Sequence, residues 1–207
     1  MPQPDRVKRD ALTHTRAVGI TGTPGTGKKS VSRLLAPKLH RELLELNSIA
    51  GPHSVADHSG ELEVDVKALG RAVRGRHLSN AVVSGHLLAD ALRTAEVDFV
   101  AVLRCDPAVL KRRLASRGYA HEKILENVEA ELIGVVLDAA VRRFGPLKVH
   151  EYDTSRTKPA SVARKIELDL LTGLPQAAPW KDWTLGYDSS TRLRSLLSAP
   201  RTDPAST

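Results

Sequence analysis

A short apolar segment runs directly into a glycine-rich loop and a lysine near the start of the chain. After residues 17–21, the glycines Gly22, Gly25 and Gly27 and then Lys28 follow the spacing Gly-x-x-x-x-Gly-Lys. Glycine adopts positive φ and lets backbone N–H groups approach an anion, and the helix after such a loop adds the positive end of its dipole. The lysine of such a loop reaches the β and γ phosphates of a nucleotide. The pattern therefore predicts a strand, a loop and a helix that together bind a nucleoside triphosphate such as ATP.

The residue after this lysine departs from the usual form of the loop. Loops of this kind continue with Ser or Thr, whose hydroxyl binds Mg²⁺. This chain instead has Lys29, followed by Ser30. We expect Ser30 to face the Mg²⁺ of bound ATP, and Thr26 to belong to the nucleotide-binding residues of the loop. Lys29 is either a second phosphate ligand or a solvated helix residue, and the sequence leaves both interpretations open.

Composition and charge fit a single domain with anionic partners. The 207 residues carry 31 Lys and Arg against 24 Asp and Glu, a net charge of +7. This excess favours nucleotides or RNA as partners, although a merely basic surface explains it equally well. Cys105 is the only cysteine, which fits a reducing compartment. Residues 1–10 lack an apolar signal core, and no apolar run approaches the roughly 18 residues of a membrane helix. We expect a cytoplasmic protein with no membrane segment, present as a monomer or a weak oligomer.

Apolar runs alternate with helical stripes along most of the chain. Five runs predict strands, at residues 17–21, 43–46, 81–83, 99–103 and 148–152. Stripes of helical period lie between them, the longest over 121–143, and a last helix opens at Pro159 and ends at Gly173. Pro37 should kink or end the helix after the loop. Such alternation predicts a three-layer α/β fold, a parallel five-stranded sheet with helices on both faces.

The two ends of the chain differ from this pattern. Residues 1–15 are charged and predict a flexible tail, which leaves 16–173 as the domain. Residues 174–207 form an extension rich in Pro, Ala, Ser and Thr. Its aromatic residues, Trp180, Trp183 and Tyr187, favour docking on the domain, with base stacking as the alternative.

Several short motifs beyond the loop are specific enough to indicate a protein family. They are the strings 82–86 (Val-Val-Ser-Gly-His), 102–107 (Val-Leu-Arg-Cys-Asp-Pro) and 116–119 (Ser-Arg-Gly-Tyr), followed by Lys123, Glu126, Asn127 and Glu131. With the loop, they make residues 16–172 resemble the archaeal and eukaryotic adenylate kinase family, also known as a ribosome-assembly ATPase. The resemblance implies a P-loop nucleoside monophosphate kinase fold and phosphate transfer between ATP and AMP. It also implies ATP hydrolysis and a role in small ribosomal subunit maturation, with a small-subunit ribosomal protein and precursor rRNA as partners.

The resemblance also implies where the substrates bind. The loop residues from Gly25 to Ser30 would hold the ATP phosphates, and Arg117 would lie in a short lid at 116–126 that closes over them. The neighbouring basic residues Lys111, Arg112 and Arg113 are interpreted as a solvated face. A monophosphate-binding region at 47–70 would contain Asn47 and Asp65, the latter being equally a helix cap.

One position departs from the resembled family and weakens the expected metal site. Relatives commonly carry Asp two residues before the histidine of the second motif, and this chain has Ser84 there. His86 remains and could orient water or touch phosphate, so it joins Lys28 and Arg117 as the expected catalytic residues. Asp106 could assist the metal or cap the following helix.

The reaction that best fits these observations is reversible phosphoryl transfer from ATP to AMP, with slow ATP hydrolysis. Three alternatives stay open. The first is an assembly ATPase whose nucleotide state controls binding to a ribosomal protein or rRNA. The second is a scaffold that binds nucleotide but turns over poorly, because of Lys29 and Ser84. The third is a kinase of the same fold that acts on another small metabolite.

Overall fold

The core of the protein is a parallel sheet. The computed structural model describes residues 16–51, 54–56, 62–76, 78–172 and 180–198. Its strands are β1 (Ala17–Thr21), β2 (Glu42–Glu45), β3 (Ser54–Ala56), β4 (Leu62–Val64), β5 (Ala81–Ser84), β6 (Val97–Arg104) and β7 (Val149–Asp153). Five of them form the sheet β2-β5-β1-β6-β7, and all neighbouring pairs are parallel. The five predicted strands are confirmed to within two residues at each end.

Helices cover both faces of this sheet. They are α1 (Lys28–Lys38), α2 (Leu46–Ala50), α3 (Val66–Arg74), α4 (Leu88–Ala91), α5 (Pro107–Ala115), α6 (His121–Leu132), α7 (Val135–Phe144), α8 (Pro159–Thr172) and α9 (Ser190–Leu197). Alternate residues of β6 point to opposite faces, as the pleat of a strand requires. Phe99 and Ala101 pack with α1 and α8, whereas Val100 and Val102 pack with α3, α4 and α7. The predicted three-layer architecture is confirmed.

The prediction of a single helix over 121–143 is wrong. The segment is two helices, α6 and α7, separated at Ile133 and Gly134. Gly134 has φ +72°, and a Cβ there would lie 3.6 Å from Nη1 of Arg104. The Nη2 atom of the same guanidinium donates a hydrogen bond to the carbonyl of Glu131 at 2.9 Å. A buried side chain from β6 therefore ends α6, which periodicity within the helix could not reveal.

The region between β2 and β5 holds more structure than the sequence indicated. Residues 47–60 read as a loop before a helix, but α2 begins at Leu46, and β3 pairs with β4 in an antiparallel hairpin. Residues 52–53 and 57–61 of this region lie outside the described residues. So do the predicted tail 1–15, the helix stop at Gly173, and residues 174–179 and 199–207 of the extension.

The described part of the extension docks beside α5 and α6. Trp183 is buried in a cluster with Leu110, Leu114 and Val128, which confirms docking as the interpretation for this ring. The Tyr187 hydroxyl donates to Oδ1 of Asp106 at 3.1 Å and accepts from a backbone N–H of α5. Within the described residues, no helix is long and apolar enough to span a membrane.

Candidate nucleotide-binding site

The glycine-rich loop lies at the carboxyl end of β1 and leads into α1. Gly22, Gly25 and Gly27 have φ of +144°, +93° and +99°, as the sequence predicted. A Cβ at Gly22 would lie only 2.3 Å from the carbonyl oxygen of Leu103, so no other residue fits there. Gly27 stands immediately before Lys28, the first residue of α1. The N–H groups at this helix end have no partner within the helix and are available to an anion.

Lys28 is folded back onto the loop. Its Nζ donates to the carbonyls of Gly22 at 2.7 Å and Thr23 at 3.0 Å. We expect such a lysine to be exposed in an empty loop, and that expectation is wrong because the hydrogen bonds to these carbonyls leave the side chain only partly exposed. Burial lowers the pKa of Lys28 to about 7; the charge of Arg117 lowers it further, and that of Glu131 opposes the shift. A phosphate in the loop would favour the charged ammonium and reverse this shift.

A buried carboxylate supports the loop from below. The Thr23 hydroxyl donates to Oε2 of Glu131 at 2.5 Å, and the backbone N–H of Cys105 donates to Oε1 at 2.9 Å. Arg104 completes the arrangement, with its Nε 2.7 Å from the same Oε1, and both side chains of this ion pair are at most 2% exposed. Glu131 belongs to the motifs named from the sequence, but no role was predicted for it. The available signal was its position, since an acidic residue three places after Val128 lies on the apolar face of its helix.

Thr154, which follows the edge strand β7, joins the same network. The Thr154 hydroxyl lies 2.9 Å from the carbonyls of both Thr26 and Arg104. Thr26 is itself fully buried, and its hydroxyl donates to the carbonyl of Thr23 at 2.8 Å. The Thr26 side chain therefore holds the shape of the loop and is turned away from solvent.

Two of the basic residues read as a solvated face make specific contacts. Arg113 donates from Nη2 to the carbonyl of Thr154 at 2.6 Å, and Lys111 donates to the carbonyl of Leu196 at 2.5 Å. The interpretation is therefore wrong for these two, because the chain brings carbonyls of distant segments against α5. Arg112 is exposed, as expected.

A cleft of about 550 Å³ opens over the loop. It is lined by Pro24, Gly25, Gly27, Lys28, Lys29, Ser30, Arg33, Asn47, His86, Arg117 and Tyr119. The structure thus brings the three expected catalytic residues together with most of the expected phosphate ligands. Arg117 and Tyr119 are exposed and lie on the turn between α5 and α6, and the rest of the predicted lid is the first part of α6.

The cleft continues into a smaller cavity at each side. One, of about 210 Å³, is lined by Gly25, Thr26, Gly27, Ser30, Val31, Arg113, Arg117, Thr154, Thr157, Pro159 and Val162. The other, of about 240 Å³, is lined by Lys28, Lys29, Glu45, Asn47, Ser48, Ser84 and Gly85. Each shares residues with the cleft, but the two share none with each other. Two compounds could therefore bind side by side across the cleft, which Lys28 lines together with the 240 Å³ cavity.

His86 follows β5 and lines the same cleft as Arg117. Burial lowers the pKa of His86, the positive charge of Lys28 lowers it further, and Asp90 opposes both. The lowered pKa favours the neutral imidazole, which can accept a hydrogen bond as well as donate one.

Two acidic residues that were candidates for the metal or the nucleotide are helix caps. Asp106 accepts from the backbone N–H groups of Ala108 at 2.9 Å and Val109 at 3.1 Å. Asp65 accepts from the N–H of Ala68 at 2.9 Å. Both carboxylates are thus engaged at the first turns of α5 and α3.

Sequence comparison identifies the family and the relatives of this chain. A family model described as "AAA domain" matches residues 18–134. Three archaeal proteins, each named "Putative adenylate kinase", align over most of their length. The one from Thermococcus gammatolerans is 38% identical over 176 residues, covering 83% of this chain and 94% of the relative. Those from Thermococcus onnurineus and Halobacterium salinarum are 35% and 36% identical, covering 83% and 81% of this chain and 93% and 97% of the relatives.

Solved structures share the fold at lower identity. A shikimate kinase from Acinetobacter baumannii, in complex with shikimate, superposes with a TM-score of 0.58 at 15% identity, covering 81% of this chain and 99% of its own. The shikimate kinase from Bacteroides thetaiotaomicron gives 0.51 at 18% identity, covering 76% and 98%. At these identities the likeness concerns the fold alone.

Proposed function

Because the chain belongs to the AAA-domain family of these archaeal relatives and has the P-loop kinase fold, we propose that it is an adenylate kinase that transfers the γ-phosphate of ATP to AMP. The observation that carries the proposal is the pair of separate cavities that adjoin one central cleft, which Lys28 lines together with the 240 Å³ cavity. A hydrolase needs room for one nucleotide and water, whereas a nucleotide kinase must hold a donor and an acceptor together.

The donor would bind in the loop and in the cavity beside it. The triphosphate would accept hydrogen bonds from the loop N–H groups, and the nucleoside would lie toward Thr157, Pro159 and Val162. Arg117 borders this cavity as well as the cleft, so its guanidinium can bridge phosphate oxygens while it covers the nucleoside. Ser30 borders the same two spaces, and we propose that its hydroxyl faces the Mg²⁺ that enters with ATP.

The acceptor would bind in the other cavity, beside Asn47, Ser48 and Ser84. An oxygen of its phosphate attacks the γ-phosphorus, a new P–O bond forms, and the bond to the β–γ bridging oxygen breaks, so that both products are ADP. Lys28 and Arg117 would stabilise the charge on the transferring group, and His86 would contact a phosphate oxygen or a water beside it. Catalysis would come from position and charge, with no covalent intermediate on the protein.

Hydrolysis and ribosome maturation are separate parts of the proposal. Water in the acceptor cavity would give slow ATP hydrolysis when AMP is absent. A role in small-subunit maturation, with a ribosomal protein or precursor rRNA as partner, is supported by the resemblance and by the net charge of +7. We also propose a cytoplasmic location. Cys105 is the only cysteine, so the chain cannot form an internal disulfide, which fits a reducing compartment.

The test is ADP formation from ATP with and without AMP in a coupled assay. We expect AMP to raise turnover strongly, and Lys28→Ala to lower it by about 10²-fold or more. Lys38→Ala is the matched control, since Lys38 lies at the other end of α1 and pairs with Glu167 at 3.3 Å. Hydrolysis that ignores AMP but responds to ribosomal protein would favour the assembly ATPase. ATP binding without turnover would favour the scaffold, and turnover with another acceptor would favour a metabolite kinase.

A further inference from the structure

Lys29 places a second ammonium group beside Lys28 at the start of α1. Its side chain is exposed and lines both the main cleft and the 240 Å³ cavity. Within the described part of the chain, no hydrogen bond or ion pair engages this ammonium group. Consecutive helix residues point about 100° apart, so Lys28 can lie beneath the loop while Lys29 faces the open space. A cation without a partner, at a helix end that favours anions, is poised for a phosphate.

The same cavity offers little to a metal ion. Its only carboxylate, Glu45, accepts a hydrogen bond from Nε of Arg33 at 2.9 Å. Asn47, Ser48 and Ser84 contribute neutral groups. No group of three or more His, Cys, Asp or Glu residues that could hold a metal occurs among the described residues. The described residues that line the cleft, Ser30 among them, include no carboxylate. Protein-bound Mg²⁺ is usually held through one or two carboxylates as well as phosphates, so neither space fits a Mg²⁺ held by the protein, and Ser30 would meet only the Mg²⁺ that enters with ATP.

One explanation accounts for both the unpartnered Lys29 ammonium group and the poor fit of the site to a metal ion held by the protein. We propose that the Lys29 ammonium binds the β and γ phosphate oxygens of ATP and supplies positive charge that Mg²⁺ supplies in other phosphate loops, so that this protein binds ATP with little dependence on magnesium. The inference rests on the proposed function only in requiring that the loop binds a nucleoside triphosphate.

The experiment is calorimetric titration of ATP into the full-length protein, once in excess EDTA and once with saturating Mg²⁺. For the parent, we expect dissociation constants within about threefold of each other. Lys29→Thr restores the usual hydroxyl and removes the charge, and should weaken binding in EDTA by roughly tenfold or more, the effect of one charge-assisted hydrogen bond. Magnesium should then strengthen binding to this variant.

Two controls separate charge from position. Lys29→Arg keeps a cation at the site and should retain the parent's affinity in EDTA. Lys38→Thr removes the same charge from the far end of the same helix and should leave ATP affinity unchanged. Circular dichroism checks that each variant is folded. We expect the Lys29 variants to keep the fold because Lys29 is exposed.

Each possible result of these titrations either supports or overturns the inference about Lys29. ATP affinity in the parent that collapses without magnesium, or Lys29→Thr that binds ATP in EDTA as tightly as the parent does, overturns the inference and leaves the proposed kinase intact. An absence of ATP binding by the parent in both buffers overturns the kinase proposal and this inference together.

Discussion

Replacing Glu131 by Gln would test how strongly the phosphate loop depends on the buried carboxylate beneath it. The side chain is 1% exposed and is paired with Arg104 at 2.7 Å, which is 2% exposed. It also accepts hydrogen bonds from the hydroxyl of Thr23 and the N–H of Cys105. Gln keeps the size of the side chain and some of these hydrogen bonds but removes the negative charge, so Arg104 would remain buried without its principal partner.

The expected loss of stability follows from this burial. Removing one partner of a buried ion pair costs roughly 3–5 kcal/mol. The lower end applies here, because Oε2 of Glu151 lies 3.8 Å from Nη1 of Arg104 and offsets part of its charge. At about 2–4 °C per kcal/mol for a chain of this length, Glu131→Gln should lower the unfolding midpoint by roughly 6–12 °C.

Thermal unfolding followed by circular dichroism measures this change. The matched control is Glu126→Gln on the same helix, where the carboxylate is 65% exposed and pairs with Lys123 at 3.2 Å. An exposed pair of this kind contributes less than about 1 kcal/mol, so its midpoint should move by no more than about 4 °C. Equal midpoints for the two variants would refute the assignment of Glu131 as the counter-charge of Arg104.

Three further predictions concern the loop, the lid and the extension. Lys28, with a pKa of about 7 in the empty loop, should gain close to one proton when ATP binds at about pH 8. ATP affinity should therefore fall as pH rises above 7. Calorimetry in buffers of different ionisation enthalpy measures the number of protons taken up when ATP binds, and Lys28→Met should abolish this proton uptake. Arg117→Ala should lower kcat by about 10²-fold or more, whereas Arg112→Ala on the exposed face of α5 should match the parent, and similar steady-state rates for both would remove Arg117 from the mechanism. Tyr187→Phe loses the hydrogen bond to Asp106 and should lower the unfolding free energy by about 1 kcal/mol in a denaturant titration, so an unchanged value would show that this contact adds nothing.

Local sequence was sufficient for the loop and for the sheet. Glycine at three positions of positive φ, a buried strand before them and a lysine after them are all local features, and the structure has each of them. The run 99–103 lacks polar residues at alternate positions because both faces of the strand are covered, so it was recognisable as a central strand. The caps at Asp65 and Asp106 were likewise readable as one of two alternatives.

Long-range contacts decided what local patterns could not. Glu131 and Thr23 are 108 positions apart, and Arg104 ends α6 from a strand that lies 27 positions earlier. Neither contact has a signature in the segment around either residue. The folded-back position of Lys28 depends in the same way on carbonyls that become available only when the loop closes.

The amino-acid order alone determined the five strands of the parallel sheet and the glycine-rich loop after the first of them, and that Lys29 and Ser84 depart from the usual residues, because backbone preference and apolar period act over a few neighbouring residues. Packing of the whole chain decided which buried charge meets which partner, and that Lys28 lines both the central cleft and the 240 Å³ cavity. Burial and charge pairing depend on distances between segments remote in the chain, and those distances exist only after the sheet and its helices have assembled.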